Sequence, residues 1–184
     1  MPSSIFIALL RGINVGGANR VPMSELRLAC EDLGWAAVQT YIQSGNVVFR
    51  AKASAVALER ELERAIERRF GLSIPVLVRT AHRWSEYVAR NPFPEESRGE
   101  ANRVMLGLCK ATLKESAVEE LRARALLGER IVGKEDALWI HFPEGAGKSK
   151  LASLLDRHAG APVTMRNWRT ALQLEELAGQ NANV

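Results

Sequence analysis

Cysteine is scarce in this chain, with two in 184 residues, Cys30 and Cys109. Neither sits in a CxxC pair or beside a histidine, so a disulfide framework and a zinc site both lack ligands. Two reduced, buried thiols are expected instead. Histidine is nearly as scarce: His82, His141 and His158 are scattered and form no HExxH or similar pattern. No metal and no cofactor are expected. A GxSxG elbow and a paired Cys/His arrangement are missing too, which leaves open whether dispersed residues assemble an enzyme. No apolar run approaches the roughly 18 residues that cross a bilayer. The first ten residues, Met1-Pro-Ser-Ser-Ile-Phe-Ile-Ala-Leu-Leu10, have no basic segment ahead of their apolar run, which argues against a secretory signal. The expectation is a soluble, cytoplasmic protein with no membrane partner.

What is present is an ordinary globular balance, 47% hydrophobic and 25% charged. The length suffices for one large domain or two small ones. Twenty-five basic residues against 21 acidic ones leave a net charge of +4. So small an excess only mildly favours an anionic partner such as a nucleotide, phosphate or nucleic acid.

Hydrophobic periodicity orders the elements. Ser4–Leu10 is an unbroken apolar run and reads as a strand. Pro22 suits a helix start, and Met23, Leu26, Cys30 and Leu33 share one helical face before Gly34. Val38–Gln43 and Asn46–Arg50 read as strands joined at Ser44-Gly45. Ser54–Phe70 reads as a helix and Ile74–Arg79 as a strand whose Pro75 suits an edge. That order, βαββαβ, is the ferredoxin-like α/β plait.

Ala81–Arg90 reads as a connecting helix and Asn91–Glu100, rich in Pro, Gly and charge, as a linker. The same order then returns: strand Asn102–Cys109, helix Lys114–Leu127, hairpin strands Glu129–Gly133 and Ala137–Phe142, helix Ser149–His158 and strand Pro162–Arg166. A final helix, Trp168–Ala178, has Asn167 as its N-cap. The expected fold class is α+β, two tandem ferredoxin-like units with an additional C-terminal helix. Residues 1–80 form the first unit, 81–100 the connection, and 101–184 the second unit plus helix. Ile5–Leu10 and Val104–Leu108 do not alternate, so both faces of each central strand should be buried, by the other half of the chain or by a second subunit.

The first strand feeds the loop Arg11-Gly-Ile-Asn-Val-Gly-Gly-Ala-Asn-Arg20. Gly12, Gly16 and Gly17 free its backbone, and Arg11, Asn14, Asn19 and Arg20 supply donors ahead of a helix N-terminus that favours anions. Strand order places the turn Gln43-Ser44-Gly45-Asn46 at the same end, making one candidate site from two polar loops. The plainer alternative is that both are merely good turn chemistry. Gly145-Ala-Gly-Lys-Ser149 resembles half a P-loop, but the leading glycine position holds Phe142. Lys148 and Ser149 are secondary anion candidates. Arg166, Asn167 and Trp168, with Arg169, could stack on a base or hold a phosphate. Sheet-face RNA recognition lacks its aromatics, since the central strands offer only Phe6 and Phe49.

Leu10-Arg-Gly-Ile-Asn-Val-Gly-Gly17, Tyr41-Ile-Gln-Ser-Gly-Asn-Val-Val48, Phe142-Pro-Glu-Gly145 with Ser149-Lys-Leu151, and Arg166-Asn-Trp168 resemble the signature segments of the bacterial domain of unknown function 1697 family. The resemblance spans about Phe6 to Leu177. It implies a pair of α/β plaits and no established activity, cofactor or catalytic residue. Arg11, Gly12, Asn14, Gly16, Gln43, Ser44, Gly45, Asn46, Arg166, Asn167 and Trp168 occupy motif positions, whereas Lys148 stands where the family often has another residue.

The leading functional expectation is binding of a small anionic ligand, a nucleotide or sugar phosphate, at Arg11–Arg20 and Gln43–Asn46. The alternatives are weak nucleic-acid binding through the basic C-terminal segment, and a ligand-free assembly module. The oligomeric state expected is monomer or homodimer.

Overall fold

A computed structural model describes residues 3–182. The first sheet is built from β1 (Ser4–Leu10), β2 (Ala36–Tyr41), β3 (Asn46–Ala51) and β4 (Val76–Thr80), with α1 (Met23–Asp32) after β1 and α2 (Ala55–Phe70) after β3. The second is built from β5 (Val104–Cys109), β6 (Arg130–Lys134), β7 (Ala137–His141) and β8 (Val163–Asn167), with α5 (Glu115–Arg122) after β5 and α6 (Leu155–Ala159) before β8. Between the sheets in sequence lie α3 (Ala81–Ala89) and α4 (Pro94–Gly99), and α7 (Trp168–Ala182) closes the chain. Strand order is β2-β3-β1-β4 in one sheet and β6-β7-β5-β8 in the other, every pair antiparallel. The fold is α+β, two ferredoxin-like units with a C-terminal helix.

The chain forms two compact units, one running to Glu86 and including the segment from Gln173 onward, the other Tyr87–Leu172. In the first, Phe6, Ala8 and Leu10 of β1 pack with Leu26 and Cys30 of α1 and Leu58, Leu62 and Ile66 of α2. Burial drives the Cys30 thiol pKa up to about 12, with Glu31 adding to it, so the thiol stays protonated. Ile7 and Leu9 point to the opposite face and are buried as well. Part of that face meets the end of α7. Gln39 Nε2 donates to Asn181 Oδ1 at 2.9 Å, Asn181 Nδ2 donates to Ala37 O at 3.1 Å, and Arg50 donates to Asn181 O. In the second unit, Cys109, Leu138 and Val163 pack under α5 and α6. On the other face of that sheet Trp139 Nε1 donates to Tyr87 O at 3.2 Å.

Several elements differ from their sequence expectation, each for a local reason. The expected linker is ordered: Pro94 opens α4, Asn91 Oδ1 accepts from Phe93 N at 3.0 Å, and Asn91 Nδ2 donates to Ser97 Oγ at 2.7 Å. The helix expected to reach Leu127 stops at Arg122, because Leu127 N donates to the Glu129 carboxylate at 2.7 Å and Gly128 takes φ +77°. The helix expected from Ser149 is a 3₁₀ turn (Leu151–Ser153) followed by the five residues of α6. Ser149 Oγ there accepts from Leu151 N at 3.1 Å, a side-chain bond that competes with helix geometry. The last helix extends to Ala182, and its residues from Gln173 group with the first unit rather than the second.

Ser54 caps α2, its hydroxyl accepting from Ala57 N at 3.3 Å, and Gly71 ends that helix at φ +66°. In urea titrations, Ser54→Ala should cost about 1 kcal/mol. Leu62→Ala, which empties a wholly buried position, should cost about 2–5 kcal/mol.

Candidate functional site

The chain leaving β1 is gripped on both sides. Leu10 N donates to Gly45 O at 2.8 Å and Arg11 N to Pro75 O at 3.0 Å, so the hairpin turn and the approach to β4 flank the loop's foot. The loop then doubles back as a miniature hairpin. Asn14 N donates to Asn19 O at 3.1 Å and Ala18 N to Val15 O at 3.0 Å. Gly16 and Gly17 fill its two central positions at φ +58° and +81°. Positive φ at both is the type I′ requirement, and it accounts for the glycine pair. The plain turn reading of these glycines therefore explains part of the motif.

Asn14 is the fastener. Its Nδ2 donates to Val21 O and to Gln43 O, both at 2.9 Å, and its Oδ1 accepts from Val21 N at 2.9 Å. The amide thus ties the start of the loop to its end and to the β2–β3 turn. Asn19 Nδ2 donates to Gly12 O at 3.0 Å. Asn46 is fully buried, and its Nδ2 donates to Tyr41 O at 2.8 Å and to Ser44 Oγ at 3.1 Å. Gly45 lies at φ +79°, and a Cβ there would meet Ile13 Cδ1 at 2.6 Å and Leu10 Cβ at 2.8 Å. The two loops are one braced object, and three of its asparagines are braces.

Arg11 is half-buried, while Gly12, Gly16, Gly17, Arg20 and Gln43 are exposed. The N–H groups of Gly12, Gly16 and Gly17 donate to no acceptor among the described residues. No Asp or Glu occurs in residues 1–24 or 33–58, so the loops contribute cations alone. At the start of β4, Glu63 accepts from Val76 N at 2.9 Å.

Two residues that sequence reasoning passed over stand beside these groups. Ile42, 47% exposed, sits at φ +48°. A left-handed conformation costs an L-residue about 1–2 kcal/mol, and a β-branched one is a genuine outlier there. Val15, on the opposing loop, is 67% exposed. Nothing in the sequence pattern signals either, since a backbone angle imposed by neighbours leaves no periodicity.

The secondary candidates lie in the second unit. Ser149 Oγ donates to Glu129 and Lys148 Nζ pairs with Glu144 at 3.4 Å. The strand before them belongs to an antiparallel sheet and the turn after them is 3₁₀, so this is no P-loop. Asn167 Oδ1 caps α7 by accepting from Thr170 N at 2.9 Å. Arg166 is buried, its pKa lowered to about 10 by desolvation, and it donates to Met165 O at 2.8 Å. Trp168, 4% exposed, lines a cavity of about 480 Å³ with Asn91, Ser97 and Leu172 rather than presenting an open ring.

The three histidines have different partners. His82 is exposed, and His158 pairs with Glu120 at 2.6 Å. His141 is buried; its Nδ1 faces Arg130 at 3.3 Å, and its Nε2, which has no hydrogen-bond partner among the described residues, lies 3.9 Å from Glu100. Burial first, then the Arg130 guanidinium, hold its pKa below the ordinary value, against Glu96 and Glu100, with Arg103 adding to the depression. Among the described residues no His/Cys/Asp/Glu cluster could hold a metal, and no helix is long and apolar enough to cross a membrane.

The family model described as protein of unknown function (DUF1697) matches residues 4–139, from β1 through most of β7. The chain belongs to that family. No curated protein matches it. A solved structure similar to this DUF1697 chain is that of a conserved bacterial protein from Streptococcus pneumoniae. It is 23% identical, with a TM-score of 0.76, over 96% of this chain and 99% of that one. It supports the two-unit fold. An unknown protein from Galdieria sulphuraria aligns over 90% of this chain and 99% of its own at 13% identity, with a TM-score of only 0.28.

Three outcomes are expected. Asn14→Ala should destabilise by about 1–3 kcal/mol and raise amide exchange at Val21, because it orphans two carbonyls and an N–H. Ile42→Asn should instead stabilise by about 1 kcal/mol, since asparagine tolerates the left-handed region. A third concerns acid. The folded-state pKa of His141 is depressed, so unfolded chains bind its proton first, and stability should fall as pH drops below about 6.5. Chemical denaturation of His141→Gln between pH 7 and 5 should show a shallower loss than the wild type.

Proposed function

We propose that the protein is a binding module for a small anionic ligand, a nucleotide or sugar phosphate, seated on the loops 11–20 and 43–46 of its first unit. What carries this is rigidity combined with unspent donors. Asn14, Asn19 and Asn46 brace the two loops from within, and the exposed N–H groups of Gly12, Gly16 and Gly17 remain without acceptors in the chain. Braced backbone N–H groups beside cations suit an anion, because the ordering cost is met on folding rather than on binding. Arg11 is the counter-charge, Gly16 and Gly17 hold the anionic oxygens, and Gln43 and Ser44 orient the ligand. Asn14, Asn19 and Asn46 act as positioning residues. A cytoplasmic location accords with two buried thiols, neither of them in a disulfide.

A second reading rests on Val15 and Ile42, two exposed apolar side chains on adjoining loops, which suit contact with another protein chain such as a second copy. Sedimentation velocity of the wild type against Val15→Ser/Ile42→Asn tests it, and an unchanged monomer in both would remove it. Nucleic-acid binding through Arg166, Trp168 and Arg169 has weaker support, because Arg166 and Trp168 are buried.

Thermal-shift measurements with inorganic phosphate, sugar phosphates and nucleoside phosphates test the anion site. A ligand at 100 times its Kd should stabilise the protein by about 2.7 kcal/mol. Arg11→Ala should weaken that shift. Silence across the whole panel, or a shift that Arg11→Ala leaves intact, would sink the proposal.

A further inference from the structure

Leu126 is 82% exposed, the largest exposure among the large apolar side chains of the described residues, and Leu127 beside it is also exposed. Isolated exposed leucines need no explanation, but these two border a cavity of about 220 Å³ whose other walls are Arg124, Glu129, Lys148 and Lys150. Glu129 builds this cavity. One carboxylate oxygen accepts from Leu127 N at 2.7 Å and the other from the Ser149 hydroxyl, so the side chain clasps segment 123–128 to segment 145–150. Buried as it is, Glu129 keeps its charge because those bonds outweigh desolvation and hold its pKa below the ordinary value. Both its oxygens are engaged in the clasp.

The remaining polar groups of the lining are cations. Arg124 donates to Glu120 O at 2.7 Å and is exposed. Lys148 shares an exposed pair with Glu144 at 3.4 Å, an arrangement of little energetic consequence. Lys150 is exposed and has no ion pair among the described residues. Three cations against one engaged carboxylate give the lining an anion-seeking field, and the two leucines give it an apolar lip.

We infer that this cavity of the second unit binds a small amphiphilic anion, a short acyl chain ending in a carboxylate, with the head between Lys148, Lys150 and Arg124 and the tail along Leu126 and Leu127. The volume lies below the roughly 300–1,000 Å³ of sites for drug-sized ligands, which selects a short chain over a long one. A membrane surface would use the same leucines and cations but would not need a cavity.

Isothermal titration calorimetry of the full chain with sodium octanoate is the test. Saturable one-to-one binding is expected, with octan-1-ol and octylammonium at least about tenfold weaker, because the first carries no charge and the second carries the wrong sign. Lys148→Ala/Lys150→Ala and, separately, Leu126→Asn should each weaken octanoate by about tenfold while leaving Tm unchanged, since all three side chains are exposed. Arg11→Ala should bind octanoate as the wild type does, which separates this cavity from the first-unit site. Equal binding of octanoate and octan-1-ol would overturn the proposal. So would wild-type affinity in the lysine double variant, inorganic phosphate binding as well as octanoate, or association with phosphatidylglycerol vesicles in the absence of octanoate binding.

Discussion

A strand buried on both faces cannot be finished by its own hairpin partners. β1 is such a strand, with Phe6, Ala8 and Leu10 under the helices and Ile7 and Leu9 on the reverse, all of them dry. At about 25 cal/mol per Å² of apolar surface, leaving either face wet would cost more than a small unit can spare. On that reverse face the last turn of α7 bonds through Asn181 to β2 and β3 of the first unit, while β3 and β4 flank β1 itself. With β1 held in place, everything at its C-terminal end inherits a fixed starting point.

That inheritance explains the two-loop end. Leu10 N and Arg11 N are anchored to Gly45 O and Pro75 O, so the loop leaves β1 in one direction only. Asn14 then converts adjacency into attachment by bonding Val21 and Gln43 together. Residues that look in sequence like ligand donors are, in part, the frame of their own loop. Short polar side chains with one donor group and one acceptor group serve both purposes equally well, and only the partner found in the fold decides between them. The strained Ile42 is the counterpart of this bracing, since an outlier survives only where its surroundings over-determine it.

The second unit repeats the connectivity and not the site. Its equivalent of the β2–β3 turn is the tight Glu135-Asp136 turn, and Asp136 accepts from the Tyr87 hydroxyl at 2.7 Å. Its distinctive chemistry lies instead where segments 123–128 and 145–150 meet across Glu129, at a place where the expected long helices both fall short. There a side-chain carboxylate and a hydroxyl capture backbone donors that a helix would otherwise have used. The irregular backbone that results is what leaves Leu126 in solvent.

Periodicity and punctuation alone determined the order of the strands and main helices, the edge position forced by Pro75, the cap at Asn167 and the meeting of the two loops. Each of these depends on residues close in sequence, or on a connectivity rule that local order implies. The tertiary structure alone decided that Asn14, Asn19 and Asn46 turn inward, that Trp168 and Arg166 are buried, that Ile42 is strained, and that α7 ends in the first unit. It also decided that Glu129 takes the hydroxyl of Ser149, 20 residues further on. These outcomes turn on which partner a polar group or apolar face meets from far along the chain, a long-range choice that leaves no local periodicity to read.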